Sequence, residues 1–403
     1  MTQLIGGPGT TDNIYGRRDS PRRMPGLDLL RALAILCVMY YHALTLHLLP
    51  KSDPVAQIGW MGVDLFFALS GFLIGSQLLR PLTQGQRLGL GVFYARRLFR
   101  TLPAYLVVLA LYFTVPIFRE APEIQPLWQF LTFTENLFIH VDHGKAFSHV
   151  WSLCVEEQFY LVAPLAVWIL ARRPAASKTL AVCIAILLGG IVLRGADWLH
   201  DLAPIYSFAH NYGIVARYWS ERIYYPTWTR LDGLLAGFTV ALLASFRPGL
   251  WQRLMSRGNL MLGSALAGLA VAIYLFRDPT ALLPSVIGYP ILSFSMGCLV
   301  VAGAGPSSLI GRRPIPLAGI VAAISYSLYL THKAVYHLVR LAAGDSFAGH
   351  PILAMLAYGG AALLGGALLY TIVERPFLRL RDRLFLRRTQ LAAGALAADQ
   401  LTL

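Results

Sequence analysis

Apolar runs long enough to cross a bilayer, about 17–25 residues each, recur ten times along the chain. They fall near 27–49, 59–80, 101–118, 151–171, 179–194, 227–246, 259–276, 284–304, 317–340 and 352–373. The pattern predicts an all-α integral membrane protein of about ten transmembrane helices. No repeat of fixed period, low-complexity segment or appended soluble domain interrupts the series. One further apolar stretch, PLWQFLTFTENLF at 126–138, is too short to span and reads as an interfacial or re-entrant helix.

Composition agrees: 56% of the 403 residues are hydrophobic and 13% are charged, against about 25% charged in an average soluble domain. The net charge of +14 would suit nucleic acid in a soluble protein, but basic residues in a polytopic chain mark cytoplasmic loops. No nucleic-acid partner is therefore expected. The cysteines Cys37, Cys154, Cys183 and Cys298 all lie inside apolar runs, so neither a disulfide framework nor a zinc site is implied, and no metal is expected. Residues 1–24 are rich in Gly, Pro and Arg with no apolar core, unlike a cleavable signal peptide. The expected organisation is a disordered cytoplasmic tail at 1–25, a membrane domain at 26–378 and a basic cytoplasmic tail at 379–403.

Placing the N-terminus inside puts 23 of the 34 lysines and arginines on the cytoplasmic side, as the positive-inside rule requires. Ten spans then leave both termini cytoplasmic. Depth follows from the helical rise of about 1.5 Å per residue. On this count His42, Asp64, Glu156, Glu157, Asp232 and His332, from five spans, fall in one layer about 8–12 Å below the outer surface. Ionisable groups at such depth face the bundle interior or a wet cavity and pair with one another. A structural network locking helices together explains any one of them; six in one layer, two of them histidines, point to a catalytic or transport cavity.

Arg31 and His42 are eleven residues apart, three helical turns plus about 20°, so they share a face about 16 Å long. One interior stripe thus runs from near the cytoplasmic surface to the polar layer, although Arg31 snorkelling to inner headgroups accounts for it equally well. The string FYARRLFRTLPAY, 93–105, reads as a basic loop before the third span. Arg96, Arg97 and Arg100 crowd there, and arginine forks suit phosphate oxygens; an anchor beside anionic lipid is the ordinary alternative. In the outer segment 206–228, with His210, Arg217 and Glu221, the aromatic residues Tyr224, Tyr225 and Trp228 fit an interface belt. An acceptor-recognising surface is the second reading. Asn136 lines the cavity or serves as a plain cap.

The chain resembles the membrane acyltransferase 3 family, bacterial O-acyltransferases that decorate cell-surface glycans and some natural products. The likeness is carried by LDLLRALAILCVMYYHA, GVDLFFALSGFLI, YARRLFRTLPAY, VWSLCVEEQFY, RLDGLLAG, SYSLYLTH and the closing VERP at Val373 to Pro376, in the family's order across 26–377. The resemblance implies a bacterial inner-membrane enzyme of the stand-alone type, without a fused periplasmic esterase-like domain. It would take acyl-CoA, acetyl-CoA by default, from the cytoplasm and esterify a hydroxyl of a glycan or lipid-linked sugar on the far side. By matching positions, His42 is the essential histidine, and Arg97 with Arg100 the pair tied to donor use, joined here by Arg31 and Arg96.

On this basis neutral His42 is expected to act as general base, its tautomer fixed by Glu156 or Asp64. A covalent acyl-histidine is the alternative route. His332 protonates the leaving thiolate or binds acceptor, and Glu157, Asp232, Arg230 and Asn136 meet the acceptor. A proton-coupled transporter would use the same buried histidines and carboxylates, but neither repeat halves nor paired broken helices are visible. A lipid-linked-sugar ligase would need an outer cationic cluster that the sequence lacks.

Overall fold

The computed structural model describes residues 24–50, 52–86, 88–142, 144–170, 176–208, 212–344, 346–347 and 350–385. Most of the two expected tails, and also Arg87, Arg172, Arg173 and His210, lie outside the described residues. Every apolar run is a helix: α1 Pro25–Thr45, α2 Met61–Thr83, α3 Leu90–Thr114, α4 Trp151–Leu170 and α5 Ala176–Asp197. There follow α6 Asp232–Phe246, the short α7 Pro248–Ser256, α8 Gly258–Leu275, α9 Tyr289–Ala304, α10 Ala318–Ala343 and α11 Pro351–Leu369. Among the described residues there is no strand, only an isolated bridge between Ile124 and Lys145.

Among the described residues, eight helices are long and apolar enough to cross a membrane. A ninth arises when α6 is joined to α7 across a bend of 114°. Helix α10 has the length at 26 residues, but Ser325, Ser327, His332 and Lys333 dilute its hydropathy. The expected 126–138 segment does not span; it holds only the turns Leu127–Leu131 and Glu135–Leu137.

Two boundaries move. Helix α3 begins at Leu90, eleven residues ahead of the apolar run, because Gly91 sits in the first turn and Arg, Leu and Ala beyond it favour a helix. The basic loop is therefore the first three turns of α3. Helix α5 runs on through a wide π-helical turn at Trp198–Leu202 into Ala203–Phe208, well past the expected 194.

The centre of the bundle is α2, packed against α1, α4, α6 and α9. Its closest partner is α6, and glycine is the reason. Gly71 and Gly75 on α2 face Gly233 and Gly237 on α6; a methyl group on Gly71 would drive into the Leu234 carbonyl, and one on Gly237 into that of Ala68. In lipid, where apolar burial gives helices no reason to associate, small residues at this spacing let backbones approach closely. Two buried ion pairs flank the seam. Arg230 Nη2 donates to both Asp64 oxygens at 2.9 and 3.0 Å, and Arg194 grips Asp232 at 2.7 and 3.0 Å. These tie α2 and α5 to the start of α6.

Candidate active site

Two of the cavities among the described residues bear on the site. The larger, about 740 Å³, is lined by five arginines, Arg31, Arg96, Arg97, Arg100 and Arg381, against three carboxylates, Glu156, Glu157 and Asp382. It falls within the range of about 300–1,000 Å³ common for small-molecule sites. The helical start of α3 builds it: Arg97 and Arg100, one turn apart, point from one face, and Arg31 reaches in from α1. The Arg97 guanidinium lies 3.8 Å from the Tyr160 ring centroid, and Arg96 stacks over Phe385 at 5.1 Å. Glu156 is saturated, taking Ser70 Oγ–H at 3.0 Å and Tyr160 O–H at 2.8 Å.

The smaller cavity, about 370 Å³, lies toward the other end of α1 and is lined by His42, His149, Lys333 and Glu120 beneath a rim of Trp60, Trp151, Tyr224 and Tyr225. His42 Nδ1 and His332 Nε2 are 2.6 Å apart. His332 Nδ1 lies 3.0 Å from the Leu328 carbonyl, one turn earlier on α10. A carbonyl only accepts, so in neutral His332 the proton sits on Nδ1 and Nε2 is the acceptor. His42 Nδ1–H must then donate to His332, which leaves the lone pair of His42 Nε2 uncommitted. A chain of one carbonyl and one imidazole thus fixes the tautomer of His42, with Nε2 free to accept a proton.

A third imidazole, His149, packs 5.8 Å from His42 and 5.1 Å from His332 by ring centroids, its Nε2–H donating to the Tyr329 carbonyl at 2.9 Å. Lys333 Nζ donates to Glu120 Oε1 at 2.9 Å and to Ser148 Oγ at 3.4 Å. Burial alone would raise the Glu120 carboxyl, but the Lys333 charge and its hydrogen bond, with further hydrogen bonds, together hold it below its ordinary range. Among the described residues no group of three His, Cys, Asp or Glu side chains has metal-holding geometry.

The single polar layer expected from the sequence is therefore two levels and a frame. His42 and His332 meet directly. Glu156 and Glu157 open into the arginine cavity instead; Glu156 bonds Ser70, about 9 Å deeper along α2 than Asp64. Counting depth from one assumed boundary per span placed them too far out, since helix entry begins at Ser148. Asp64 is held by Arg230 and does not reach His42, so the tautomer-fixing partner is His332 rather than either carboxylate. Arg230 lies between the Tyr224 and Tyr289 rings at 4.6 and 4.4 Å, behind the aromatic wall of the histidine cavity. Asp232 serves Arg194. Asn136 is 1% exposed and saturated, donating to Tyr225 O and Thr227 Oγ1 and accepting from Gln158; it locks loops together and lines neither cavity.

Nothing in the chain's pattern set apart His149, Glu120, Tyr329 or Arg194. His149 opens the string HVWSLCVEEQFY, so it was on view without a partner. Lys333 is a charge inside a helix, and its partner Glu120 is distant in sequence and in a loop. Glu374, in the closing VERP string, accepts from Ser327 at 2.7 Å and ties the last helix to α10.

The chain is 30% identical over 344 residues to "O-acetyltransferase OatA" of Staphylococcus aureus (strain NCTC 8325 / PS 47), a match covering 80% of this chain and 52% of that protein. It is 29% identical over 405 residues to "Putative peptidoglycan O-acetyltransferase YrhL" of Bacillus subtilis (strain 168), covering 93% of this chain and 58% of that one. The chain thus spans a little over half the length of these relatives. No solved structure matches it. The acyltransferase domain family matches residues 24–371, a stretch that holds both cavities almost whole, and the chain belongs to that family.

Proposed function

We propose that this membrane protein moves an acyl group, acetyl by default, from acyl-CoA bound in the arginine cavity to an acceptor hydroxyl entering the histidine cavity. The observation that carries the reading is the placing of the two cavities in series, with phosphate-matching arginines in one and a base-poised imidazole in the other. The arginine end, rich in the basic residues that favour the cytoplasm, would face the cytosol of a bacterial inner membrane. Arg31, Arg96, Arg97 and Arg100 would receive the phosphates of CoA, and the pantetheine arm would extend past Glu156 and Ser70 toward α10.

At the meeting point His42 Nε2 takes the proton of the acceptor hydroxyl as its oxygen attacks the thioester carbonyl. His332, accepting from His42 Nδ1–H, steadies the imidazolium that forms. The carbon–sulfur bond breaks, the acyl–oxygen bond forms, and the thiolate takes the proton back from His42. Lys333 at the cavity wall adds positive charge where the tetrahedral oxyanion develops. The aromatic rim suits a glycan, whose sugar faces stack on rings, and the relatives' names point to glycan O-acetylation.

Vesicles from source cells test the scheme, because they supply the native acceptor. Radiolabelled acetyl-CoA added to inside-out vesicles should label base-labile esters on envelope glycan, and right-side-out vesicles should stay unlabelled. Equal labelling in both orientations, or no binding of acetyl-CoA by the purified protein, would refute it. The latter outcome would favour proton transport.

A further inference from the structure

Among the described residues one side chain alone lines both cavities: Tyr329. It stands on α10 one residue past Leu328, whose carbonyl orients His332, and it is 5% exposed. Its hydroxyl hydrogen goes to the His149 carbonyl at 2.5 Å. Because that proton is committed, Ser152 Oγ–H must be the donor in the 2.6 Å bond between the two hydroxyls. The Tyr329 backbone carbonyl takes His149 Nε2–H in return. On its other side the ring meets Phe66 edge-on at 6.4 Å. The ring is thus held at the boundary of the two cavities by polar bonds to α4 and the turn before it, and by an aromatic neighbour on α2.

We infer that Tyr329 sets the size of the acyl group this protein transfers. The inference rests on the acyl-transfer reading and deepens it. A thioester approaching from the arginine side must bring its carbonyl within about 3–3.5 Å of the attacking oxygen, and Tyr329 occupies the boundary it must cross. The space beside the ring decides how much acyl chain fits beyond the carbonyl. A short group passes the edge of the ring; each further methylene must displace the ring, packed against Phe66 and His149. One methylene in excess of a fitted apolar pocket changes rate about 10–200-fold, so a fixed ring is sufficient to enforce acetyl over longer chains.

The test is a competition among acetyl-, butyryl- and hexanoyl-CoA in inside-out vesicles from source cells lacking this chain and complemented with each variant. Released acyl esters are counted by mass spectrometry. Tyr329→Ala should raise the hexanoyl-to-acetyl ratio at least tenfold, while Tyr329→Phe, which keeps the ring, should leave it within about threefold of wild type. A structural role alone would lower all donors together. Tyr329→Leu is scored in the same way should the alanine variant not fold. An unchanged ratio in the smaller variants, or a shift in Tyr329→Phe equal to theirs, overturns the inference while leaving acyl transfer intact. Wild-type vesicles that form no ester from any donor overturn the acyl-transfer reading, and this inference falls with it.

Discussion

The arginine cavity and the histidine cavity are built by opposite means. The first gathers like residues: three arginines come from consecutive turns of α3, joined by Arg31 from α1 and Arg381 near the C-terminal end. Their charges reach inward on long stems, and several of them can serve one phosphate group. At the second, imidazoles from three places meet, on α1, α10 and the turn before α4, and each bonded ring nitrogen has a single partner. Redundancy suits binding, where contacts sum. Single assignments suit proton transfer, where one misplaced tautomer removes the base.

If that contrast is right, loss of one histidine should be drastic and loss of one arginine graded. His42→Ala should lower acyl transfer about 10²–10⁴-fold, the usual worth of a general base, with acetyl-CoA affinity of the purified protein unchanged. Retained transfer would remove His42 from the chemistry. His332→Ala should lower transfer with unaltered donor affinity as well, since His42 would lose the acceptor that fixes its tautomer.

Next in size is the Lys333–Glu120 pair. Lys333→Met leaves a buried carboxylate without its cation, a change that typically costs about 3–5 kcal/mol, and should lower the thermal midpoint in detergent. Lys333→Met with Glu120→Gln should recover most of that loss without recovering transfer. Recovery of both would make the pair purely structural.

Arg97→Ala should weaken acetyl-CoA binding about 10-fold, on the order of 1.5 kcal/mol for one charge-assisted hydrogen bond, and adding Arg100→Ala should weaken it again by a similar factor. The maximal rate should hold. Binding should also weaken with added salt, as expected for phosphate held by partly exposed charges. A collapse of rate at saturating donor in the single variant would break the contrast between the two cavities.

How much of this was legible differs along the same line. Ten apolar runs of membrane length announced the helices, and the crowding of Arg96, Arg97 and Arg100 announced the cationic end. Both signals are local in sequence. The start of α3 was misread because hydropathy drops where arginines begin although helix propensity does not. His42 was visible as a polar intruder. Its true partner was not, because His332 lies 290 positions away, and a depth count treats every carboxylate at a similar level as an equal candidate. Asp64 and Asp232 drew attention for the same reason that makes them structural: each neutralises an arginine inside the bundle. The aromatic residues Tyr224 and Tyr225 read as an interface belt, yet they line the histidine cavity, while Trp228, 49% exposed, does not.

The smallest expected effect concerns a carboxyl that belongs to neither logic. Glu156, at the arginine end, has a donor on each oxygen. Glu135, in the loop behind the histidine cavity, is fully buried, and neither of its side-chain oxygens has a hydrogen-bond partner among the described residues. Burial pushes its carboxyl well above the ordinary range, with Lys333 pulling weakly the other way. A raised folded value means the folded chain holds this proton more tightly than the unfolded one. Its contribution to stability is therefore full below the unfolded pKa of about 4.3 and is lost as pH rises through the higher folded value. Glu135→Gln supplies a permanently neutral side chain of the same shape. The thermal midpoint of the wild type should fall between pH 5 and pH 8 relative to that of Glu135→Gln, by about 2–4 °C for each kcal/mol involved. Parallel midpoints across that window would mean Glu135 stays ionised in the fold, and would give the histidine cavity a buried negative charge behind it.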